Sequence, residues 1–330
     1  SCIFRGSQNT KETKKTRKMT NINRKQRTIS APASCTGVGL HTGVESTITF
    51  KPAPENYGIQ FSRTDIIGSP EIRADIEHVV DISRGTTIGQ NGVRIHTVEH
   101  ALAAVSGLRI DNVLIELTGK EAPVMDGSAK DFVEALQSVK FVQQNEYRNV
   151  LDISRPVVYS DPDKEIDIHV VPADSFRVTF LVEYPLPALG TQYEAIYNME
   201  EDFARDVAPA RTFCFLSEVE ELREQGLIKG GSLANAVVIV DKKIEHGEID
   251  RLRDLFGIEE KVIQGANGIL NGKVLRFHNE PVRHKTLDLI GDLALLGISI
   301  KGHVTAARSG HASNVEFVKM IRKEYSDQLD

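Results

Sequence analysis

The sequence predicts an α+β fold of two related halves, in which strands and helices follow one another in a similar order. Strand-like and helical segments alternate from about residue 27, which is the first observation behind this prediction. The second is that the order of segments restarts near residue 148. The third is that each half contains a histidine-bearing helix followed by glycine and an isoleucine-rich strand, in VEHALAAVSGLRIDNVLI and RHKTLDLIGDLALLGISI.

The predicted first domain, residues 27–147, opens with strands. RTISAPASCTGVGLHTG and VESTITFKPA indicate two strands joined by a glycine-rich turn, and YGIQFSRTD indicates a third. QNG is typical of a hairpin turn. HTVEHALAAVSGL predicts a short helix ending at Gly107, IDNVLIEL a strand and DGSAKDFVEALQSV a second helix.

The predicted second domain, residues 148–330, repeats this order. NVLDISRPVVYSDPDKEIDIHVVPA and FRVTFLVEYP indicate strands, SEVEELREQGLIKGG a helix and NAVVIV another strand. RHKTLDLIGDLALLG predicts a helix, ISIKGHVTAARSG a single strand and ASNVEFVKMIRKEY a closing helix. If the halves pack face to face, the two histidine-bearing helices meet at the interface, where small-molecule sites often form.

The composition indicates a globular protein without a transmembrane segment. Apolar and charged fractions of 40% and 26% are ordinary for such proteins. The longest apolar runs fall far short of the roughly 20 residues that span a bilayer, and no secretory apolar region is visible. Cys2, Cys35 and Cys214 have no CxxC spacing, so they indicate a reducing compartment and give no thiolate metal site. We therefore expect a cytoplasmic protein.

Residues 1–26 form a basic segment. The first 30 residues hold nine Lys and Arg against Glu12 alone, while the whole chain carries a net charge of −6. A basic arm can bind nucleic acid, but no aromatic residue for base stacking lies among residues 5–27. We expect a disordered segment without a nucleic-acid partner. Met19 offers another explanation, in which residues 1–18 lie upstream of the natural start.

The segment RHKTLDLIGD carries the first candidate ligands. The spacing of four residues places His284 and Asp288 on one side of a helix, and Asp292 falls within about 80° of the same arc. An ordinary amphipathic helix with a solvated polar face has the same pattern. This helix alone therefore leaves both interpretations open.

The other helix favours a metal site. Glu99 and His100 are adjacent in an otherwise apolar segment, and burying an unpaired charge is costly. Two neutral imidazoles and one carboxylate form a set typical of catalytic zinc, which leaves a fourth position for water. That set would be His100, His284 and Asp288. Glu99 would then be the base that takes a proton from water at the metal.

Two further residues fit this chemistry. His311 lies in the glycine-flanked loop ARSGHAS, and a carboxylate partner such as Asp292 would raise the pKa of its imidazole and keep it protonated. A surface histidine is the alternative. Thr212 in PARTFCF could help to polarise a substrate carbonyl, and an ordinary strand threonine is the alternative there.

Together these motifs resemble the zinc-dependent UDP-3-O-acyl-N-acetylglucosamine deacetylases of lipid A biosynthesis. The resemblance begins at about Arg27 and rests on GVGLHTG, FSRTD, TVEHALAAVSGLRIDNVLIEL, PVMDGSA, ARTFCF, GLIKGGS, RHKTLDLIGDL and SGHA. It implies two domains, each a sheet layered with helices, and an active site between them. It also implies hydrolysis of the 2-acetamido group of a UDP-sugar, with release of acetate.

The resemblance implies roles for single residues as well. The ligands of one zinc ion would be His100, His284 and Asp288. The groups acting on the amide would be Glu99 as the base, His311 and Thr212 at the oxyanion, and Asp292, which orients His311. His311 would also give a proton to the leaving amine. The substrate contacts would be Lys285, Arg308 and, along an apolar passage for the acyl chain, Phe213, Phe215 and Leu227.

The sequence departs from the family pattern at two positions. Cys214 stands where glycine is familiar, which would narrow the entrance of the passage. Arg308 stands where lysine is common, so a contact with the diphosphate would have altered geometry. Some family members continue into a hot-dog-fold dehydratase domain, which makes a fused or separate dehydratase a candidate partner.

Two other functions fit part of the pattern. A mononuclear iron oxygenase uses the same set of two histidines and one carboxylate, although it does not require a base such as Glu99. The non-enzymatic alternative is a nucleotide-sugar binding protein with an inactive site.

Overall fold

The computed structural model describes residues 24–186, 189–243, 253, 265 and 267–329. The basic segment up to residue 23 lies outside the described residues, as does most of the 241–272 region between the last strand-like run and the ligand helix. Lys25 and Gln26, which the sequence placed in the disordered segment, belong to a strand that pairs with residues 141–147, with a shift of register between Lys25 and Arg27.

The described helices are α1 Glu99–Gly107, α2 Lys130–Ser138, α3 Met199–Asp202, α4 Leu216–Glu224, α5 Glu280–Ala294, α6 His311–Glu324 and α7 Ser326–Leu329. Strands β1 to β10 are Lys25–Ile29, Ala33–Val38, Glu45–Pro52, Ile59–Arg63, Glu71–Arg73, Val79–Asp81, Thr87–Gln90, Val93–Ile95, Val113–Leu117 and Phe141–Tyr147. Strands β11 to β19 are Val150–Asp152, Val157–Asp161, Ile166–Val171, Arg177–Glu183, Thr191–Ile196, Phe213–Phe215, Val237–Ile239, Ser299–Lys301 and His303–Ala307.

Two five-stranded sheets have the same topology. Their strand orders are β2-β3-β9-β4-β5 and β12-β13-β19-β14-β15. In each sheet the third and fourth strands are parallel and the other neighbours are antiparallel. Helices α1 and α2 flank β9 in the chain as α5 and α6 flank β19. The predicted α+β fold of two related halves is confirmed, and the boundary at residue 148 remains a proposal.

Alternating burial explains why these segments form sheets. Buried and part-exposed residues alternate along Val113–Leu117 and along Arg177–Glu183, as expected for strands with one face on the core. The predicted QNG turn is also present, since Asn91 and Gly92 have φ angles of 51° and 82° between the paired strands β7 and β8.

The prediction of one strand over ISIKGHVTAARSG is wrong. The chain forms β18, which pairs with β11, and then β19, which joins the larger sheet between β13 and β14. Gly302 separates the two strands, and a Cβ atom there would lie 2.8 Å from the Ile153 side chain. The close approach of a neighbouring segment therefore coincides with the change of sheet.

Helices α1 and α5 pack against each other, which confirms that the two histidine-bearing helices meet. Gly291 lies at their closest approach, where a Cβ atom would be 2.2 Å from the carbonyl oxygen of Glu99. Glycine inside a helix costs about 0.5–1 kcal/mol relative to alanine, and the crossing accounts for its presence here. Within the described part of the chain, no helix has the length and apolar character required to cross a membrane.

Candidate metal centre

Three predicted ligands converge where α1 meets α5. The Nε2 atoms of His100 and His284 lie 3.7 and 3.5 Å from Oδ1 of Asp288. The three potential ligand atoms all lie within 4.8 Å of one another, and the two imidazole rings meet edge to face with centroids 5.0 Å apart. All three residues are buried. The alternative of a solvated polar face on α5 is therefore wrong.

The proton on His284 is placed as metal ligation requires. Its Nδ1 lies 3.0 Å from the carbonyl oxygen of Ala210, which can only accept, so Nδ1 carries the proton and the Nε2 lone pair is free. Burial lowers the pKa of His284 to about 4, even though the nearby Asp288 opposes this shift. The ring is therefore neutral near pH 7, which is the form that binds metals.

Asp288 is ionised although it is buried. Burial alone favours the protonated acid, but the charges of neighbouring groups, with Lys285 and His311 as the cations, outweigh it and hold the pKa of Asp288 well below its usual range. The Nζ atom of Lys285 is 3.4 Å from Oδ2. A buried carboxylate is stabilised by further positive charge, and a divalent cation among these donors would supply it. The donor set fits a metal ion.

Glu99 lies beside the ligands, and its contacts favour a base. Its Oε2 accepts the backbone N–H of Thr86 at 2.9 Å, and its Oε1 is 4.0 Å from Nε2 of His311. Burial raises the pKa of Glu99, against the opposing effect of His311 and His100, which makes the carboxylate a stronger base. Gly85 has φ +139°, and a Cβ atom there would lie 2.8 Å from Glu99 Oε1.

His311 is the first residue of α6, and its Nδ1 lies 2.8 Å from Oδ2 of Asp292. Burial opposes a positive charge on the ring, and so does the helix N-terminus. The Asp292 carboxylate outweighs these effects and raises the pKa of His311 to about 10. Asp292 also accepts hydrogen bonds from Thr86 Oγ1 at 2.6 Å and from Asn314 Nδ2 at 2.9 Å. The ring is therefore an imidazolium near pH 7.

Thr212 lies two residues after the carbonyl that holds His284. Its N–H donates to the Gly127 carbonyl oxygen at 2.7 Å, and its own carbonyl accepts from the N–H of Val237. These bonds fix the backbone of Thr212 beside the candidate centre. The predicted contact of its hydroxyl with substrate stays a prediction.

Two of the three predicted apolar substrate contacts lie together at the edge of the centre. The ring centroid of Phe213 is 6.4 Å from that of His284 and 6.2 Å from that of Phe215. Tyr184 completes an aromatic cluster, with its ring centroid 5.5 Å from that of Phe215. Leu227 is half-buried, and it lies outside the apolar cluster that contains Phe213 and Phe215.

The two predicted cationic contacts differ in position. Lys285 lies on α5 and contacts Asp288, next to the candidate ligands. The guanidinium of Arg308 donates through Nε to the Glu165 carbonyl oxygen at 2.6 Å and through Nη1 to Oε2 of Glu183 at 3.1 Å. A substrate diphosphate would therefore compete with Glu183 for Arg308.

Sequence reasoning missed Thr86, Asn314, Tyr184 and Gly291. The packing role of Gly291 could have been predicted, because a glycine inside a helical sequence pattern indicates close packing. The role of Thr86 could not have been predicted, since its hydrogen bond to Asp292 joins residues 206 positions apart in the chain.

Comparison with known proteins identifies, over most of the chain, the family that the sequence motifs resemble. Residues 26–256 and 252–323 match the UDP-3-O-acyl N-acetylglycosamine deacetylase family. The chain is 53% identical to the bifunctional enzyme LpxC/FabZ of Chlorobaculum tepidum over 92% of its own length and 65% of that protein. It is 40% identical to the enzyme of that name from Bacteroides thetaiotaomicron, covering 91% of this chain and 65% of the relative. It thus spans less than two thirds of these bifunctional relatives.

This chain covers a larger share of a relative whose name gives only the deacetylase activity. The UDP-3-O-acyl-N-acetylglucosamine deacetylase of Myxococcus xanthus is 41% identical over 92% of this chain and 87% of its own length.

Proposed function

The chain belongs to the UDP-3-O-acyl N-acetylglycosamine deacetylase family, and we propose that it is a zinc-dependent deacetylase. It hydrolyses the 2-acetamido group of UDP-3-O-acyl-N-acetylglucosamine to give UDP-3-O-acyl-glucosamine and acetate, the committed step of lipid A biosynthesis, in the cytoplasm. The observation that supports this most is the convergence of three ligand atoms within 4.8 Å, beside a buried glutamate and a charged histidine.

The proposed metal site consists of His100, His284 and Asp288. Zinc bound there would polarise the acetamide carbonyl and make water more acidic. We propose a zinc hydrolase and not an iron oxygenase, because hydrolysis uses a base beside the metal. Glu99 is adjacent to His100 in the chain, and its pKa is raised. The iron oxygenase alternative leaves Glu99 without a role.

Glu99 and His311 divide the proton transfers. Glu99 accepts a proton from water as the water oxygen bonds to the carbonyl carbon. The His311 imidazolium and the Thr212 hydroxyl stabilise the negative charge that develops on the carbonyl oxygen. Because Nδ1 of His311 is held by Asp292, Nε2 is the atom that gives its proton to the amine nitrogen as the carbon–nitrogen bond breaks. Acetate then leaves.

The proposed substrate contacts are side chains near this centre and two more distant residues. Phe213 and Phe215 would contact the acyl chain, and Lys285 would contact the polar part of the substrate. Leu227 and Arg308 remain as proposed contacts, although Leu227 lies outside the aromatic cluster and Arg308 is paired with Glu183. We also propose a hot-dog-fold dehydratase as a fused or separate partner, because two relatives are named as bifunctional enzymes.

An acetate-release assay tests this function. Metal-free protein is reconstituted with zinc and given UDP-3-O-acyl-N-acetylglucosamine, and mass spectrometry detects the deacetylated UDP-sugar. His100→Ala should lose zinc and activity, whereas His96→Ala, a matched histidine whose ring contacts Thr87, should keep both. Substrate binding without acetate release would favour the binding protein, and oxygen consumption with iron(II) would favour the oxygenase.

A further inference from the structure

Thr86 contacts both parts of the proposed proton-transfer machinery. Its backbone N–H donates to Glu99 Oε2 at 2.9 Å, and its hydroxyl donates to Asp292 Oδ1 at 2.6 Å. The same hydroxyl oxygen lies 3.4 Å from Nδ1 of His311. Thr86 is fully buried, so water does not compete for these bonds. Thr86 therefore connects Glu99, the proposed base, to Asp292, which pairs with the proposed acid His311.

The geometry fixes the direction of these bonds. A threonine hydroxyl has one proton, and an ionised carboxylate only accepts, so the proton of Thr86 points to Asp292. The other oxygen of Asp292 accepts from His311 and Asn314. Both oxygens of this buried carboxylate thus have donors, and charge-assisted bonds of this kind orient it strongly.

We infer that Thr86 is a positioning residue that keeps Glu99 and His311 in their relative places across the interface of the two halves. Thr86 precedes β7 in the first half, whereas Asp292 and His311 lie on α5 and α6 in the second. Its main chain holds the carboxylate of Glu99, and its side chain holds the carboxylate that orients His311. This inference rests on the proposed deacetylase function.

The side-chain contact can be removed while the main-chain contact stays. Thr86→Val keeps the shape and the N–H but removes the hydroxyl, and Thr86→Ser restores a hydroxyl. Because small misplacements of a catalytic group can slow turnover by up to 10²-fold, we expect Thr86→Val to lower kcat about 10- to 100-fold. KM and zinc content should stay within about twofold, and Thr86→Ser should recover most of kcat.

Thr87→Val is the matched control. Thr87 is the next residue and is also buried, but its hydroxyl contacts His96 Nδ1 at 3.0 Å, outside the candidate centre. This variant should keep kcat close to the wild-type value. Equal losses in Thr86→Val and Thr87→Val, or an unchanged kcat in Thr86→Val, would overturn the inference.

A second measurement does not depend on turnover. The proton between His311 Nδ1 and Asp292 should give a downfield proton resonance, assigned by its loss in His311→Ala. We expect this resonance to shift or broaden in Thr86→Val and to persist in Thr86→Ser and Thr87→Val. If the wild type releases no acetate, the proposed function fails, whereas an unaltered resonance in Thr86→Val contradicts the positioning role itself.

Discussion

The Nδ1 atom of His311 lies 2.8 Å from the Oδ2 atom of Asp292, which is fully buried. His311 begins α6, and a helix N-terminus disfavours a positive charge there by about 0.3–1 kcal/mol. The charge on the ring therefore depends on Asp292. Glu99 differs from His311, because burial raises the pKa of its carboxylate and the N–H of Thr86 holds its Oε2 atom.

Asp292→Asn should move the basic limb of the pH–rate profile to lower pH. Asp292 raises the pKa of His311 to about 10, so the active imidazolium persists up to that pH and is lost above it. An uncharged asparagine removes the main cause of this shift, and we expect the limb to fall by at least about one pH unit, or roughly 1.4 kcal/mol. The pH dependence of kcat/KM measures it. A limb that stays in place would show that another group controls it.

His311→Ala should reduce turnover about 10²- to 10⁴-fold, the usual contribution of a positioned general acid. Zinc content should change much less, because His311 lies outside the ligand set, and the basic limb should disappear. Steady-state kinetics and metal analysis test both points. His303→Ala is the control, since that histidine contacts Thr179 on the neighbouring strand β14. Similar effects of the two substitutions would argue against an acid role for His311.

Glu99→Gln should abolish acetate release and leave zinc bound. The amide keeps the hydrogen-bond acceptor for Thr86 but cannot take a proton from water at neutral pH. Acetate assays and metal analysis on the same sample are needed. Loss of the metal with the activity would mean that the roles of ligand and base are exchanged.

Gly291→Ala should destabilise the fold, although alanine is the better helix former. In an open helix the change would stabilise by about 0.5–1 kcal/mol. Here the new methyl group would lie 2.2 Å from the Glu99 carbonyl oxygen, and overpacking of this kind typically costs about 1–3 kcal/mol. Urea unfolding gives the sign directly. A more stable variant would contradict the close crossing of α1 and α5.

Glu280→Gln should weaken zinc binding without touching a ligand. Glu280 is buried in the first turn of α5 and accepts bonds from the N–H and guanidinium of Arg211 and from the N–H of Arg276. Arg211 follows Ala210, whose carbonyl orients His284. Loss of such supporting contacts typically lowers metal affinity about 10- to 100-fold, which competition with a chelator measures.

Asp111→Asn controls for the loss of an ion pair. Asp111 pairs with Arg148, and both side chains are largely buried away from the candidate ligands. This variant should keep its zinc affinity even if it is less stable. Equal affinities of Glu280→Gln and Asp111→Asn would show that the Arg211–Glu280 pair stabilises the fold and does not support the metal site.

The sequence predicted the features that depend on local pattern. The alternation of apolar and polar residues predicted the strands. The spacing of His284 and Asp288 predicted that both lie on one side of a helix, and both are buried in the structure. The break at Gly302 escaped prediction because it depends on the approach of Ile153 from another strand region. Thr86 escaped it because its partner Asp292 is far away in the chain, and no spacing rule connects two such segments.

We propose that one zinc ion held by His100, His284 and Asp288 supports acetate release. Titration of metal-free protein with zinc tests it most directly, with acetate release from UDP-3-O-acyl-N-acetylglucosamine measured at each addition. We predict that the rate rises in proportion to bound zinc and reaches its plateau at one zinc per chain, and that Asp288→Ala shows no such rise. A fully zinc-loaded protein that releases no acetate would contradict this role of the zinc site.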